Sequence, residues 1–593
     1  MDEERTWDLS ILVEDTSIEG LKQANGSTRT ELGNELKELR EASLEIDAEE
    51  LLKHIHKVEN TLSRLITIAA YTNCRFLSDT TEKGSQTFAS ISQGNIDEYY
   101  STKRVLYKIL GQQVEQRPEL LEDPVLSNYK HLLEMSGENQ SYTLSQNEEE
   151  LILEKDSNGI SVLSQLQEMW TSSIILDVEI EGNKQKLSLN KARGLLASDD
   201  RETRRIVSEA YYGSFARDKL IHTNALRAIC SDHVNMTKRR QWPSYMTQSF
   251  IDQDVDEQTI MSLLKTVEDS SSSVQDYIQL KAKHFGYKKL LRYDMPAPWN
   301  PKRYWEADWT TAKKTVIQAY ATFDDEIGKY VSSLFTDRRI DSEDRPGRSI
   351  IPGVCWGVPE KKTSFIFLTY NNSLSNAYTL AHELGHGIHN YFIDKGQTFL
   401  NIDTSMCIAE TGSIFGELLL TEHLLKECET DELKTEVLEN VVGRFYGTTF
   451  NLTAYALFEM SLYDAIMDGQ MLDAEKICEI WIATRERIFG DTIEWPVQYD
   501  YEWAKVHMLY MPNFRFYNYS YVFAQLLVFA LYEDYKENPS NFSERFKRLL
   551  SRGCSMSPRE QIAEMGYDIT KSDFWTLGIK QAERLLDELK RIS

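Results

Sequence analysis

Three histidines and a glutamate lie close together in the segment "TLAHELGHGIHNYF", residues 379–392. On a helix, His382 and His386 are one turn apart on one face, and Glu383 lies about 100° around the axis from His382. Two imidazoles placed in this way can bind one Zn²⁺ and leave the glutamate free to transfer a proton. The alternative is a solvated face or a purely structural histidine pair. The HExxH spacing favours a metal site over that alternative.

The helix that would carry these residues contains two glycines. Four apolar residues form a stripe on its opposite face: Leu380, Leu384, Ile388 and Tyr391. Gly385 and Gly387 each cost about 1 kcal/mol relative to alanine in a helix interior. We therefore expect the backbone of another element to pass close to this helix.

A third ligand must come from elsewhere. His389 faces the same way as His382, but it lies about 10.5 Å further along the helix axis, too far for one ion to bind both. The segment "MCIAETGSIFGELLL", residues 406–420, offers a carboxylate after a turn and an antiparallel return. Glu410 is therefore predicted to be the third metal ligand.

Two further residues are predicted to support the ligands without binding the metal. Glu417 lies seven residues after Glu410, on the same helix face, where it can hold a ligand histidine in orientation. A buried salt bridge or a solvated acid is the alternative for Glu417. His389 is predicted to lie beside the ligands in the same way.

These segments resemble a known family. "TLAHELGHGIH" followed by "AETGSIFGELLL" is similar to the oligoendopeptidase F branch of the thimet oligopeptidase family of zinc peptidases. "TWDLS", "GNKQKLSLNKARGLLASDDRETR", "LLRYDMPAP" and "RFYNYSYVFAQL" also resemble that branch, so the similarity covers nearly the whole chain. In the family, the glutamate that matches Glu410 is the third zinc ligand. The resemblance implies a mostly α, clam-like fold of two lobes, with zinc on the floor of a deep channel that admits short unfolded peptides.

The segment "WAKVHMLYMPNFRFYNYSYVFAQ" is rich in hydrogen-bond donors. The resemblance matches His507, Tyr517 and Tyr519 to a histidine and tyrosines that close over the substrate carbonyl in thimet-type enzymes. Pro512 departs from the pattern, because it stands where the thimet branch has a tyrosine. Either Tyr510 substitutes for that tyrosine in contact with substrate, or Tyr517 and Tyr519 share its task. An aromatic run at helical spacing is also typical of a buried core.

An apolar run, "SFIFLTYNN" at residues 364–372, comes before the histidine motif and is β-like in composition. It can be a buried core strand. It can also be an exposed edge that pairs with the backbone of a peptide, which would make Phe367 and Thr369 substrate-binding residues. The sequence does not decide between these interpretations.

Composition limits the partners and the compartment. The formal net charge is −27, which disfavours binding to nucleic acid or to anionic membranes. The seven cysteines are scattered without a CxxC pair, as is typical of a reducing compartment. The first residues, "MDEERTWDLS", lack the apolar core of a signal peptide, and no run of apolar residues is long enough to span a membrane. These features predict a cytoplasmic protein.

The remaining elements are predicted to be mostly helical. Helical patterns fill residues 28–134, and alternating residues around Gly182 and Asn183 predict a β-hairpin. A small β element is expected just before the histidine motif. We predict an N-terminal helical domain over 1–190, ending in that hairpin, and a zinc peptidase domain over 191–593.

The predicted function is a zinc-dependent endopeptidase that hydrolyses internal bonds of short peptides. Two alternatives stay open at this point. One is a zinc exopeptidase of the dipeptidyl carboxypeptidase type built on the same site. The other is a helical peptide-binding protein without turnover.

Overall fold

A computed structural model describes residues 3–42, 46–300 and 302–593 of the chain. Helices dominate it, as predicted. In chain order, helices α1 to α12 are Ile18–Ala42, Ala48–Ser78, Ser85–Gln116, Lys130–Ser141, Gln146–Asn158, Ile160–Ser173, Leu189–Leu195, Arg201–Arg217, Lys219–Arg240, Thr247–Gln253, Glu257–Asp269 and Ser271–His284. Helices α13 to α23 are Trp309–Phe323, Asp325–Thr336, Leu374–Gly396, Met406–Ala409, Thr411–Glu427, Asp431–Met467, Ala474–Phe489, Asn518–Glu537, Phe542–Leu550, Pro558–Glu564 and Ser572–Ile592.

The strands are short. Strands β1 to β7 are Ile175–Ile180, Asn183–Ser188, Leu290–Leu291, Ile340–Asp341, Gly353–Val358, Thr363–Leu368 and Ile493–Glu494. Strands β1 and β2 form the predicted hairpin, in which Leu176 faces Leu187. Glu181 and Gly182 both have positive φ, so the two-residue turn lies one position earlier than the sequence indicated.

The chain divides into two compact units, each assembled from three stretches of sequence. The first consists of Met1–Ser141, Trp305–Glu429 and Leu531–Asp568. The second consists of Tyr142–Tyr304, Thr430–Ala530 and Ile569–Ser593. The domain boundary predicted at residue 190 lies inside the second unit and does not coincide with an edge of either, and as a functional division it stays a prediction.

The first unit has a three-stranded sheet in the order β4-β6-β5. Strand β6 pairs with β5 in antiparallel fashion along its length and with β4 in parallel fashion over two residues. Helix α15 packs on β5, β6 and α17. This arrangement brings the predicted metal helix, the sheet and the predicted third-ligand segment together.

Among the described residues, no helix combines the length and the apolar character that crossing a bilayer requires.

Candidate metal centre

Helix α15 carries the HExxH motif. Ser373 caps its first turn by accepting a hydrogen bond from the N–H of Asn376 at 3.2 Å. The predicted stripe is buried at Leu380, Leu384 and Ile388, while Tyr391 is half-buried. The helix is therefore anchored through its apolar face, and the histidines on the other face can contact groups from neighbouring elements.

The glycines of the motif have different surroundings. A Cβ added at Gly385 would lie 2.4 Å from the carbonyl oxygen of Gly412 and 2.5 Å from the Cα of Ser413, both on α17. A Cβ added at Gly412 would in turn lie 2.4 Å from the carbonyl oxygen of Gly385. Helices α15 and α17 thus touch backbone to backbone, as expected from the sequence. Gly387 has room, since its added Cβ would come no closer than 3.4 Å to a side chain, that of Leu334.

This close crossing brings three metal-ligand atoms together. The Nε2 atom of His382 lies 3.3 Å, and that of His386 3.5 Å, from Oε2 of Glu410. One ligand atom from each of these residues lies within 4.8 Å of the other two. Glu410 occupies the junction between α16 and α17 and not the interior of one helix. Two imidazole nitrogens and one carboxylate oxygen are one of the donor sets found in catalytic zinc sites.

Glu417 contacts the ligand His382 directly. The Nδ1–H of His382 donates to Oε1 of Glu417 over 2.7 Å. Glu417 is buried, with 6% of its surface exposed. This bond fixes the tautomer of His382, so that its Nε2 lone pair points to the side where Glu410 lies.

The local electrostatics favour metal-binding protonation states at His386 and Glu410. Burial lowers the pKa of His386. Burial alone would raise the pKa of Glu410, but the rings of His386 and His382 and the hydroxyl of Ser413, which donates to Oε2 at 2.6 Å, lower it instead. A neutral imidazole and an ionised carboxylate are the forms that bind a metal ion.

His382 behaves differently because of its acidic neighbours. Burial would lower its pKa, but the hydrogen bond and charge of Glu417, together with the charges of Glu410 and Glu383, raise it. A metal ion must therefore displace a proton at His382 when pH is low.

Glu383 lies beside the ligand group, against strand β5. Burial, together with the charges of Glu410 and Glu417, raises the pKa of Glu383 to about 7, although His382 opposes this shift. A Cβ at Gly353 would lie 2.7 Å from Oε1 of Glu383 and 2.8 Å from Cγ2 of Thr379, so a side chain at this position would displace both groups. The backbone N–H of Cys355 on the same strand opposes the rise of this pKa. A carboxyl that titrates near neutral pH is suited to accept and return a proton.

His389 is buried next to the ligand group. His389 lies one turn beyond His386 on α15. A Cβ added at Gly412 would lie 3.3 Å from the Cβ of His389. Burial and the neighbouring His386 lower its pKa to about 4, which keeps the ring neutral. Its ligand atoms do not belong to the group formed by His382, His386 and Glu410.

The interpretation of "SFIFLTYNN" as an exposed edge is wrong. Its strand, β6, lies in the middle of the sheet, where Phe367 faces Val354 on one side and Asp341 on the other. The Phe367 side chain is completely buried, so its contact with substrate stays a prediction that this burial does not favour. Thr369 is half-buried and accepts a hydrogen bond from Arg348 at 3.4 Å. The edge strand beside the metal helix is β5.

The remaining predicted residues belong to the second unit. His507 is exposed, and Tyr517 is half-buried with its hydroxyl 3.5 Å from that of Tyr521. Tyr519 is completely buried, and its hydroxyl bonds to both oxygens of Ser249, at 2.8 and 3.1 Å. A catalytic role for Tyr519 stays a prediction that requires its hydroxyl to leave Ser249.

Tyr510 is also completely buried. It lies at the end of the turn His507–Tyr510, with its ring edge-on to His222 at 6.3 Å. Contact between Tyr510 and a substrate stays a prediction that this burial does not favour.

Several contacts around the site were not predicted from the sequence. Strand β5, with Gly353 and Cys355 beside Glu383, was missed because its half-buried residues lack a clear alternation. The hydrogen bond from Ser413 to Glu410 was missed as well. The i, i+3 spacing of these two residues at a helix start was the available signal.

The comparison with protein families matches residues 195–580 to peptidase family M3. The chain belongs to peptidase family M3. The M3 match includes the HExxH helix and the segment that carries Glu410 and Glu417. The predicted enzyme class, a metallopeptidase, is confirmed by this membership.

Relatives of this M3 peptidase support the predicted branch. Group B oligopeptidase PepB of Streptococcus agalactiae serotype III (strain NEM316) is 27% identical over 557 residues, which cover 92% of this chain and 91% of the relative. An oligoendopeptidase F homolog of Lactococcus lactis subsp. lactis (strain IL1403) is 24% identical over 607 residues, which cover 100% and 97%. The resemblance to the oligoendopeptidase F branch is thus confirmed.

Solved structures share the fold. The crystal structure of oligoendopeptidase-F from Enterococcus faecium superposes with a TM-score of 0.70 at 20% identity, and covers 96% of this chain and 99% of that one. A crystal structure from Chlamydophila abortus superposes with a TM-score of 0.86 at 21% identity, and covers 100% and 99%. The mostly α fold predicted for the M3 peptidase is confirmed.

Proposed function

We propose that this M3 peptidase is a zinc-dependent oligoendopeptidase that cleaves internal bonds of short peptides. The observation that carries the proposal is the convergence of His382, His386 and Glu410, with Glu383 beside them. Membership of family M3 and the names of the relatives agree with it.

Zinc is the proposed metal because the donor set suits it. Nitrogen and oxygen donors in a group of three, which leaves a position open, are typical of catalytic zinc sites. His382 and His386 would hold the ion through Nε2, and Glu410 through Oε2. When bound, zinc supplies an electrophile that polarises the scissile carbonyl and lowers the pKa of water.

The proposed proton carrier is Glu383. Its carboxylate takes a proton from the attacking water and returns it to the leaving amine. Burial raises its pKa above the ordinary value, which favours return of the proton to the leaving amine.

Stabilisation of the carbonyl oxygen is proposed for His507 and Tyr517. A preorganised donor aimed at the developing negative charge contributes strongly in a site of this type. His507 is exposed and Tyr517 is half-buried, so both can be reached by a ligand. Tyr519 is the weaker candidate, because its hydroxyl is bound to Ser249.

We propose that the edge strand β5, and not β6, pairs with the peptide backbone. Backbone pairing tolerates many side chains, which suits an enzyme that acts on varied short peptides. Strand β5 lies against Glu383 through Gly353 and Cys355. None of the seven cysteines, all of which lie in the described part of the chain, forms a disulfide; this supports a reducing compartment, and we propose the cytoplasm.

Metal removal tests the proposal directly. Dialysis against a chelator is expected to abolish cleavage of an internally quenched peptide that is blocked at both ends, and one equivalent of Zn²⁺ should restore it. Cleavage of the blocked peptide separates an endopeptidase from a dipeptidyl carboxypeptidase, which needs a free carboxyl end. Full activity in protein that contains no metal would contradict the zinc assignment.

Replacing Glu417 with glutamine is expected to weaken zinc binding by about 10- to 100-fold. The glutamine amide can present the wrong group to Nδ1 of His382 and cannot supply the charge that raises the basicity of the ligand. A competition titration with a chromophoric chelator measures the change.

The matched control for that experiment is Glu422→Gln. Glu422 lies on the same helix, α17, but its carboxylate bonds to Tyr532 and Lys536. Its replacement should leave zinc affinity within about twofold of the unmodified protein. Equal losses in the two variants would refute a specific role for the bond between Glu417 and His382.

A further inference from the structure

A buried phenylalanine in the second unit has an unusual backbone conformation. Phe516 has φ of 59°, in the left-handed region that a residue with a bulky side chain rarely adopts. Its side chain is 1% exposed. Such a conformation persists only where the surroundings determine it more strongly than the backbone opposes it.

An aromatic cluster holds the Phe516 ring. The ring lies 4.8 Å from that of Tyr463 and stacks on that of Tyr245 at 5.3 Å. His233 lies at 6.3 Å and is itself bonded through Nε2 to the carbonyl of Tyr245 at 2.7 Å. These contacts fix the side chain but do not by themselves fix the direction of the backbone.

Glu459 fixes the backbone. The N–H of Phe516 donates to Oε1 of Glu459 over 2.8 Å. Glu459 comes from helix α18 and is 3% exposed. Burial raises the pKa of this carboxyl to about 7, although the Phe516 backbone and the charge of Arg515 oppose the shift. Burying a carboxyl is costly, and its polar partner here is the backbone of the strained residue.

The next residue along the chain is Tyr517. It comes directly before helix α20, which begins at Asn518, and its hydroxyl lies 3.5 Å from that of Tyr521, one turn into the helix. The direction in which the Tyr517 side chain leaves the backbone is therefore set by the conformation of Phe516. A change of φ at residue 516 from positive to negative would change the orientation of the segment that leads into helix α20.

We propose that Glu459 is a positioning residue, which holds Phe516 in the left-handed conformation and thereby aims Tyr517 at the substrate. This inference rests on the proposed function, because it assumes that Tyr517 stabilises the carbonyl oxygen. Glu459 acts through the backbone and touches no reacting atom. It is neither a metal ligand nor part of the unit that carries the ligands.

Two substitutions separate hydrogen bonding from charge and size. Glu459→Gln keeps a carbonyl oxygen that can accept the N–H of Phe516, so kcat is expected to stay within about threefold. Glu459→Met keeps the length and removes the acceptor, so kcat should fall by about 10- to 100-fold, as for the loss of an oxyanion donor. Zinc content should be unchanged in both variants.

A double-mutant cycle with Tyr517→Phe tests whether the two residues act together. If Glu459 works through Tyr517, Glu459→Met should lower kcat by no more than about twofold in the Tyr517→Phe background. Val442→Ala, which opens a cavity elsewhere on α18, is the control for lost stability and should leave kcat unchanged. Additive losses in the cycle, or an equal loss in Val442→Ala, would overturn the proposal.

Tryptic cleavage gives a readout that does not depend on peptidase activity. The bond after Arg515 is expected to be cut at least about 10-fold faster in Glu459→Met than in the unmodified protein or in Glu459→Gln, because the strained segment is released. Unchanged cleavage would refute the claim that Glu459 holds the backbone of Phe516. If cleavage accelerates but the unmodified protein shows no peptidase activity, the proposed function is refuted, while the role of Glu459 in holding Phe516 is supported.

Discussion

Replacing Glu383 with glutamine is expected to lower kcat by at least about 100-fold while zinc stays bound at one equivalent. Glutamine keeps the size of the side chain but cannot accept a proton, and positioned proton transfer contributes about 10²- to 10⁴-fold in reactions of this kind. The ligand atoms of His382, His386 and Glu410 are not altered by the change. Turnover of the blocked quenched peptide and metal analysis of the same sample measure both quantities.

A matched control for Glu383→Gln lies on the same helix. Burial raises the pKa of Asp394 to about 7, much as it does for Glu383, but Asp394 lies more than two turns beyond the ligand histidines. Asp394→Asn should leave kcat within about twofold. A Glu383→Gln enzyme that turns over at the unmodified rate would show that another group carries the proton.

The raised pKa of Glu383 also predicts a stability effect in the metal-free protein. Because the folded state holds its proton up to about pH 7 and the unfolded chain releases it near the ordinary value, the fold loses stability as pH rises between these two values, and the full loss is present above pH 7. Glu383→Gln should therefore raise Tm at pH 8 in the absence of metal. The difference should vanish near pH 4, where the carboxyl is protonated in both states.

Gly385→Ala is expected to disrupt the metal centre, whereas Gly387→Ala, two residues away, should stabilise the protein. The methyl group at residue 385 would overlap the backbone of α17 at 2.4 and 2.5 Å, and no flexible side chain is there to move aside. The helices must separate, and overpacking of this kind costs about 1–3 kcal/mol or more. Since Glu410 is carried by the displaced segment, zinc affinity should fall together with Tm.

Gly387→Ala makes the same chemical change without that overlap. Its nearest neighbour would be Cδ1 of Leu334 at 3.4 Å, an ordinary contact. Alanine in a helix interior is favoured over glycine by about 0.5–1 kcal/mol, so Tm should rise and zinc binding should be retained. Equal behaviour of the two variants in thermal unfolding and zinc titration would contradict the close crossing of the helices.

The metal centre could be predicted from the sequence because its parts are local. His382, Glu383 and His386 are fixed relative to one another by helical geometry. Glu410 lies at the start of the next long helix, α17, and Glu417 lies two turns further along the chain within it. The glycine at residue 385 indicated a close backbone neighbour, which is helix α17.

The parts that sequence reasoning missed depend on contacts between distant segments. An apolar run such as "SFIFLTYNN" has the same pattern whether its strand lies at the centre or the edge of a sheet, and only the pairing with Asp341 and Val354 decides it. Tyr519 is completely buried, and its hydroxyl bonds to Ser249, 270 residues away. Periodicity carries no information about either partner.

The unit that bears the metal ligands is assembled from three separated stretches of the polypeptide, the last of which is Leu531–Asp568. Helix α15 packs on α21, which belongs to that last stretch. During synthesis on the ribosome, the ligand histidines therefore emerge long before the last stretch of their unit. The three stretches of the second unit are synthesised between and after those of the first. No contiguous fragment of the gene product contains the entire ligand-bearing unit without most of the other one.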